Sequence, residues 1–238
     1  MVFWTLRPPF VRHPLMLDLA QTFIYEEFSA KSVSPASLDD HLANGWRHFG
    51  THFFRYNLAV HDDEIRRVIP LRIRLTSFSP SKSQSRVLRK NADLRCEVRP
   101  IRITAAVEDL FECHKLRFNH NAPDSLFTFL SSDPAKTPCE GLELAVYDND
   151  KLVATSFFDA GSSAVSGIYA VFDPDESHRS LGIFTMLKEI EFAVKGGWEF
   201  YYQGYCYSGE SFYDYKKRFR GTEGFDWNGN WLTQSEDK

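Results

Sequence analysis

From Trp198 to Tyr205 the chain is almost continuously apolar or aromatic. A run of that kind marks a strand buried on both faces, the habit of parallel strands. A parallel strand cannot follow its partner through a tight turn and needs a crossover, usually a helix. The sequence supplies one: helical spacing from about Arg179 to Lys195, stopped by Gly196 and Gly197. Upstream, Leu142 to Tyr147 and Leu152 to Phe158 read as strands joined by a hairpin turn at Asp148, Asn149 and Asp150, and Val165 to Phe172 reads as a third strand. Ala106 to Asn119 is helical in pattern, with Val107, Leu110, Phe111 and Leu116 on one face. A short helix is expected to start at Ser208, Gly209 and Glu210, and Phe225 to Leu232 closes the chain. The order predicts a mixed sheet, an antiparallel meander plus a parallel strand, flanked by helices.

The first hundred residues are less regular and read as an α+β subdomain, 1–100, preceding a larger unit, 101–238. Residues 13–31 show an amphipathic helical pattern through Leu15, Leu17, Leu19, Phe23, Ile24 and Phe28. A Ser/Pro break follows at Ser32 to Ser37, then a helix to the Asn44-Gly45 stop and a strand over Phe53 to Val60. Arg67 to Phe78 alternates apolar residues with Arg72 and Arg74, which predicts a strand with one wet, positive face. Although the net charge is −4, eleven Lys and Arg residues crowd the stretch from Arg66 to Arg102, and a local basic face on an acidic protein still grips a polyanion.

Four cysteines (Cys96, Cys113, Cys139, Cys206) lie far apart without a CxxC, so a local zinc or iron–sulfur motif and a disulfide scaffold are not expected. His48 and His52 stand four apart, but no Cys or carboxylate lies near them in sequence to complete a metal set. No apolar run is long enough to span a membrane and the opening residues lack a signal-peptide pattern. These features predict a cytoplasmic protein without a metal, cofactor or membrane partner. No G-x-S-x-G anchors a serine nucleophile.

Three blocks carry chemistry. Phe78-Ser79-Pro80-Ser81-Lys82-Ser83-Gln84-Ser85-Arg86-Val87-Leu88-Arg89-Lys90-Asn91 places Lys82, Arg86, Arg89 and Lys90 at spacings of three and four, hence on one helix face. That face suits the phosphates of a nucleic acid, although a merely solvated basic helix would look the same. Ser177-His178-Arg179-Ser180-Leu181-Gly182-Ile183-Phe184 opens the crossover helix; Gly182 there permits either close approach of a substrate to free N–H groups or packing on the sheet. Tyr202, Gln203, Tyr205 and Tyr207 end the parallel strand, where ligands gather as strands splay.

Together these blocks, continued by Tyr213-Asp214-Tyr215-Lys216-Lys217-Arg218-Phe219, resemble the aminoacyl-tRNA–protein transferases of the N-end rule, the arginyl- and leucyl-transferases. The meander, crossover helix and parallel strand are likewise the arrangement of the GNAT acyltransferases. The resemblance implies amide formation between a tRNA-borne amino acid and an N-terminal α-amine, with aminoacyl-tRNA and a protein or peptide as partners. It implies tRNA or substrate contacts at Lys82, Arg86, Arg89, Lys90, Arg179, Ser180, Leu181, Gly182, Asp214, Tyr215, Lys216 and Arg218. An ester is already activated, so positioning, proton removal and oxyanion stabilisation suffice, and Tyr202, Gln203 and Tyr205 are the catalytic candidates, with core packing as their plain alternative. GNAT enzymes that use acyl-CoA carry R/Q-x-x-G-x-G/A at the crossover helix. Here Phe184 stands at the last position, where a ring is expected to crowd a pyrophosphate. An acyl-CoA enzyme and a non-catalytic RNA- or peptide-binding module are the alternatives. Most members carry a cysteine cluster before the first block; Tyr56 to Arg66 contains no cysteine, so metal regulation is not implied here.

Overall fold

The computed structural model describes residues 23–61, 63–118 and 122–233. In chain order the elements are β1 (Tyr25–Ser29), α1 (Pro35–Ala43), β2 (Arg47–Phe49), β3 (His52–Tyr56), β4 (Leu58–His61), β5 (Glu64–Arg74), α2 (Lys82–Lys90), β6 (Arg95–Pro100), α3 (Ala105–Lys115), β7 (Glu140–Asp148), β8 (Lys151–Ala160), β9 (Ala164–Phe172), α4 (Leu181–Gly196), β10 (Phe200–Tyr207), β11 (Thr222–Phe225) and β12 (Trp231–Thr233). A 3₁₀ helix over Phe212–Arg218 follows β10.

Nine strands form one sheet in the order β12-β11-β5-β10-β9-β8-β7-β6, with β4 on β5. The meander β6 to β9 is antiparallel, and β9 and β10 run parallel across the crossover helix α4. This is the GNAT-like mixed sheet. Strands β5 and β6 both come from the first hundred residues, yet β5 lies between β10 and β11 and β6 pairs with β7. Strands β1, β3 and β2 make a separate three-stranded sheet.

Local chemistry accounts for most boundaries. The Ser34 hydroxyl caps α1, which begins at Pro35. Ser81 and Gln84 close a capping box at α2, each satisfying the other's backbone N–H. Phe157 and Phe158, adjacent on β8, enter different apolar clusters. The first joins the cluster under α3 and the second the cluster under α4, so helices cover both faces of the sheet. Phe184 is buried in the α4 cluster; its ring faces the sheet and cannot crowd an anion at the helix start, contrary to the sequence expectation. A third cluster joins α1 and Phe53 to Ala164 and Tyr202.

Several expectations change. Of the segment 13–31, residues 13–22 lie outside the described residues, and Tyr25–Ser29 is a strand paired with His52–Tyr56 rather than helix. Tertiary pairing overrides a short amphipathic pattern there. The single strand foreseen over Phe53 to Val60 is two, broken at buried Asn57. The face of β5 is not wet at Arg72, because Glu223 of the adjacent β11 and the rings of Phe200 and Trp231 enclose its guanidinium. Arg72 is buried, paired to Glu223 at 2.7 Å and set over the Phe200 and Trp231 rings. The helix foreseen at Ser208 begins at Phe212 and is 3₁₀.

Candidate active site at the parting of two parallel strands

Strands β9 and β10 pair over only three residues each, Ala164–Ser166 with Phe200–Tyr202. Beyond Tyr202 a bulge interrupts β10, with Gly204 at φ 88°, a left-handed conformation that a side chain would strain. The two strands therefore part at their C-terminal ends. The N-terminus of α4 follows β9 and lies at the same sheet edge.

Three elements fill the parting. From β2, the buried Arg47 donates to Ser166 Oγ at 2.5 Å and to the Gly167 carbonyl. From the 3₁₀ helix, Lys216 Nζ donates to the Tyr205 carbonyl at 3.2 Å. A Cβ built on Gly204 would lie 3.5 Å from Lys216 Nζ and 3.8 Å from Arg47 Cζ, so both cations converge on this glycine. Withdrawal from water, then repulsion by Arg47, brings Lys216 down to about 8. Burial likewise lowers Arg47. Among the described residues neither has a carboxylate within ion-pair distance, although Asp159 acts on Arg47 from further away, so much of their field is left for an incoming anion or oxyanion.

From α4 comes the buried Glu189. It accepts hydrogen bonds from Ser156 Oγ and from Tyr201 Oη, the latter at 2.5 Å. Burial outweighs these two donors and pushes its carboxyl up to about 7. The Tyr201 hydroxyl reaches under β9, only 2.8 Å from where a Gly167 Cβ would sit. A carboxyl poised near neutrality thus connects through a phenol to the point where the strands separate.

Tyrosines cluster about Tyr213 in the 3₁₀ helix that follows β10. The hydroxyls of Tyr56, Tyr169, Tyr207 and Tyr215 all feel the field of Tyr213. Burial first, then those neighbours, raises Tyr56 and Tyr215 to about 12. Burial likewise takes Tyr169 to about 12 against the opposing pull of Arg117, and its buried hydroxyl has no hydrogen-bond partner. Such rings suit stacking with a nucleobase or an apolar side chain.

The sequence candidates fall in different places. Gln203 is buried at the bulge; its Nε2 donates to Thr222 Oγ1 while Oε1 lacks a partner. Tyr205 donates to the Gly45 and Phe54 carbonyls at 2.6 and 3.3 Å, which ties β10 to the segments around β2 and β3. Tyr202 points into the third cluster, where Arg72 donates to its hydroxyl. Asp214 accepts from the Ser211 N–H and hydroxyl and pairs with Lys217, so it holds its own helix. Tyr215 lies near Glu189, and Arg218 is exposed.

Lys82, Arg86, Arg89 and Lys90 are all exposed on α2. The C-terminal end of α2 packs against the start of α4: Lys90 Nζ reaches the His178 carbonyl and Asn91 Nδ2 the Arg179 carbonyl at 2.9 Å. The basic helix therefore flanks the sheet edge at which β9 and β10 part. Arg179 is bound to Glu176, Asp93 and Asp148, Leu181 is buried in the core, and Ser180 is exposed in a left-handed conformation before α4. A Cβ on Gly182 would meet the Phe172 ring at 3.2 Å, so packing on the sheet explains this glycine. Arg47, Glu189 and Tyr201 were invisible as site residues in the sequence. A basic residue on a short strand and a glutamate on an otherwise apolar helix face were the available signals.

Comparison with known proteins identifies what the chain is similar to. Residues 109–226 match the family model described as arginine-tRNA-protein transferase, C terminus. Among curated relatives, the aspartate/glutamate leucyltransferase of Marinobacter nauticus is 32% identical over 201 residues, covering 82% of this chain and 81% of its own. That of Stenotrophomonas maltophilia is 30% identical, covering 78% and 75%. That of Leptospira interrogans is 27% identical, covering 86% and 79%.

Proposed function

This chain belongs to the aminoacyl-tRNA–protein transferase family, and on that premise we propose that it transfers leucine from leucyl-tRNA to proteins whose N-terminal residue is aspartate or glutamate. The family gives the reaction class, and the relatives' names support leucine as the amino acid and acidic N-termini as acceptors. One observation in this chain supports chemistry of that class: two cations, Arg47 and Lys216, converge on Gly204 at the parting of β9 and β10, and Tyr201, within the field of Arg47, is hydrogen-bonded to a near-neutral carboxyl, Glu189.

In the reaction the acceptor α-amine attacks the ester carbonyl carbon. A C–N bond forms and the carbonyl oxygen gains negative charge, which Arg47 and Lys216 stabilise. The C–O bond to the terminal ribose then breaks. The amine's proton passes to Glu189, with Tyr201 as the intervening hydroxyl, and a proton returns to the departing ribose oxygen, so no charge accumulates. No covalent enzyme intermediate is required, because the ester is already activated. The tyrosine cluster takes the leucyl side chain and the terminal adenine, and the exposed cations of α2 take the acceptor-stem phosphates. The reaction takes place in the cytoplasm, where charged tRNA resides. Among the described residues no helix is long and apolar enough to cross a membrane.

The test is label transfer from radiolabelled leucyl-tRNA to peptides beginning with Asp, Glu, Lys or Arg, with acetyl-CoA offered in parallel. Transfer from leucyl-tRNA to the acidic peptides alone is expected. Transfer from the thioester alone would overturn the reading, and transfer to basic N-termini would overturn its acceptor.

A further inference from the structure

We propose that His48, Cys139 and Asp159 form a binding site for one divalent transition-metal ion of the zinc class. These residues are far apart in sequence, His48 and Asp159 by 111 positions. Yet their ligand atoms all lie within 4.8 Å of one another, and each residue is at most 5% exposed. These three groups are not hydrogen-bonded to Arg47, the residue before His48 on β2, which donates to Ser166 and Gly167, although Asp159 acts on its charge.

Hydrogen bonding around the imidazole is the first argument. His48 Nδ1 lies 2.9 Å from the Gly50 carbonyl oxygen, which can only accept, so Nδ1 carries a proton. In the neutral ring the Nε2 lone pair is then turned toward Asp159 Oδ2, 2.8 Å away. Two acceptors face each other unless a proton or a cation lies between them. A backbone carbonyl that fixes one ring nitrogen and leaves the other as donor to a metal is the usual outer-shell arrangement of histidine ligands.

Charge and donor type are the second. Cys139 Sγ donates to Asp159 Oδ1 at 3.3 Å, and both groups are buried. A bound divalent ion removes that proton, and thiolate plus carboxylate then balance its charge in a buried site. One nitrogen, one sulfur and one oxygen are a donor set for Zn²⁺ and its relatives, and exclude Mg²⁺ and Ca²⁺, which take oxygen shells. Tetrahedral ligands on zinc are about 3.4 Å apart, so the widest side of the triangle, at most 4.8 Å, closes by up to about 1.4 Å on binding.

Access is the third. A cavity of about 10 Å³ borders His48, Asp159 and Gly50, enough for roughly one water as a fourth ligand. Gly50, Leu130, Ser131 and Thr137 also line an open groove of about 500 Å³, which gives the ion a route in. The three ligands come from β2, from the residue before β7 and from β8. Occupancy would therefore clasp the three-stranded sheet to the large one beside Arg47.

The test is a Co²⁺ titration of the chelator-treated full chain, read by optical absorption, followed by displacement with Zn²⁺. One equivalent is expected, with a thiolate-to-cobalt charge-transfer band and tetrahedral ligand-field intensity. The band should vanish in Cys139→Ser and persist in Cys113→Ser, whose cysteine is exposed. His48→Gln and Asp159→Asn should weaken binding at least about tenfold, and Zn²⁺ should raise the melting temperature of the wild type but not of Asp159→Asn. Absence of a thiolate band, or a band unchanged in Cys139→Ser, would overturn the site. Should Cys139→Ser not fold, zinc X-ray absorption on the wild type decides, because a first shell without sulfur overturns it equally.

Discussion

Replacing Glu189 with glutamine separates the cost of the buried carboxyl from its use. Glutamine keeps the volume and an acceptor for Tyr201, and the Ser156 hydroxyl can rotate to accept from the amide. In the folded protein the carboxyl is raised from 4.5 to about 7 by burial. An acid with a raised folded value holds its proton more tightly when folded, so its unfavourable contribution is absent below the unfolded value and complete above the folded one. At about 1.4 kcal/mol per pH unit, the penalty is about 1.4 kcal/mol at about pH 5.5 and about 3 kcal/mol at about pH 8. The glutamine variant cannot ionise. Its stability relative to wild type should therefore improve by about 2 kcal/mol between those two pH values, seen in urea denaturation or as about 4–8 °C in melting temperature. Transfer activity should fall by about a hundredfold or more, the usual scale for removing a general base. A stability difference that stays the same at both pH values would refute the burial argument, and full activity would refute the proton-acceptor role.

Three further outcomes follow from the same structure. Lys216 is lowered to about 8 by burial and Arg47, and a lowered base loses its charge as pH rises through the folded value. Transfer rates, corrected for spontaneous ester hydrolysis, should decline above about pH 8, and Lys216→Met should remove that limb with most of the activity; a limb unmoved in the variant sinks the assignment. Reversing Arg86 and Arg89 to glutamate should weaken tRNA binding and reduce the salt dependence by about two released counterions, with an unchanged melting temperature because both side chains are exposed. Unaltered affinity would remove α2 from the interface. Arg72→Met breaks the buried pair with Glu223, which retains Arg74 at 2.9 Å; a loss of about 2–4 kcal/mol in urea denaturation is expected, and a neutral result would show that the guanidinium, with its pair and its ring contacts, adds nothing to stability.

The sequence determined whatever is governed by near neighbours. The apolar run at Trp198 to Tyr205, the turn at Asp148 to Asp150 and the glycine pair after α4 specified a meander, a crossover helix and a parallel strand, because periodicity and turn chemistry act over a few residues. The spacing of Lys82, Arg86, Arg89 and Lys90 announced a helix whose cations share a face, and the structure has that helix, with those cations exposed. Which strand lies beside which is decided by pairing across long separations, so the insertion of β5 between β10 and β11 could not be read from local pattern. The active site belongs to that second category. Arg47 reaches Ser166 across 119 residues and Arg72 reaches Glu223 across 151, and a side chain's environment, hence its charge state, exists only once the sheets have closed around it. Phe184 shows the limit from the other side: its type and position were plain in the chain, but the direction of its ring was set by the core that α4 packs upon.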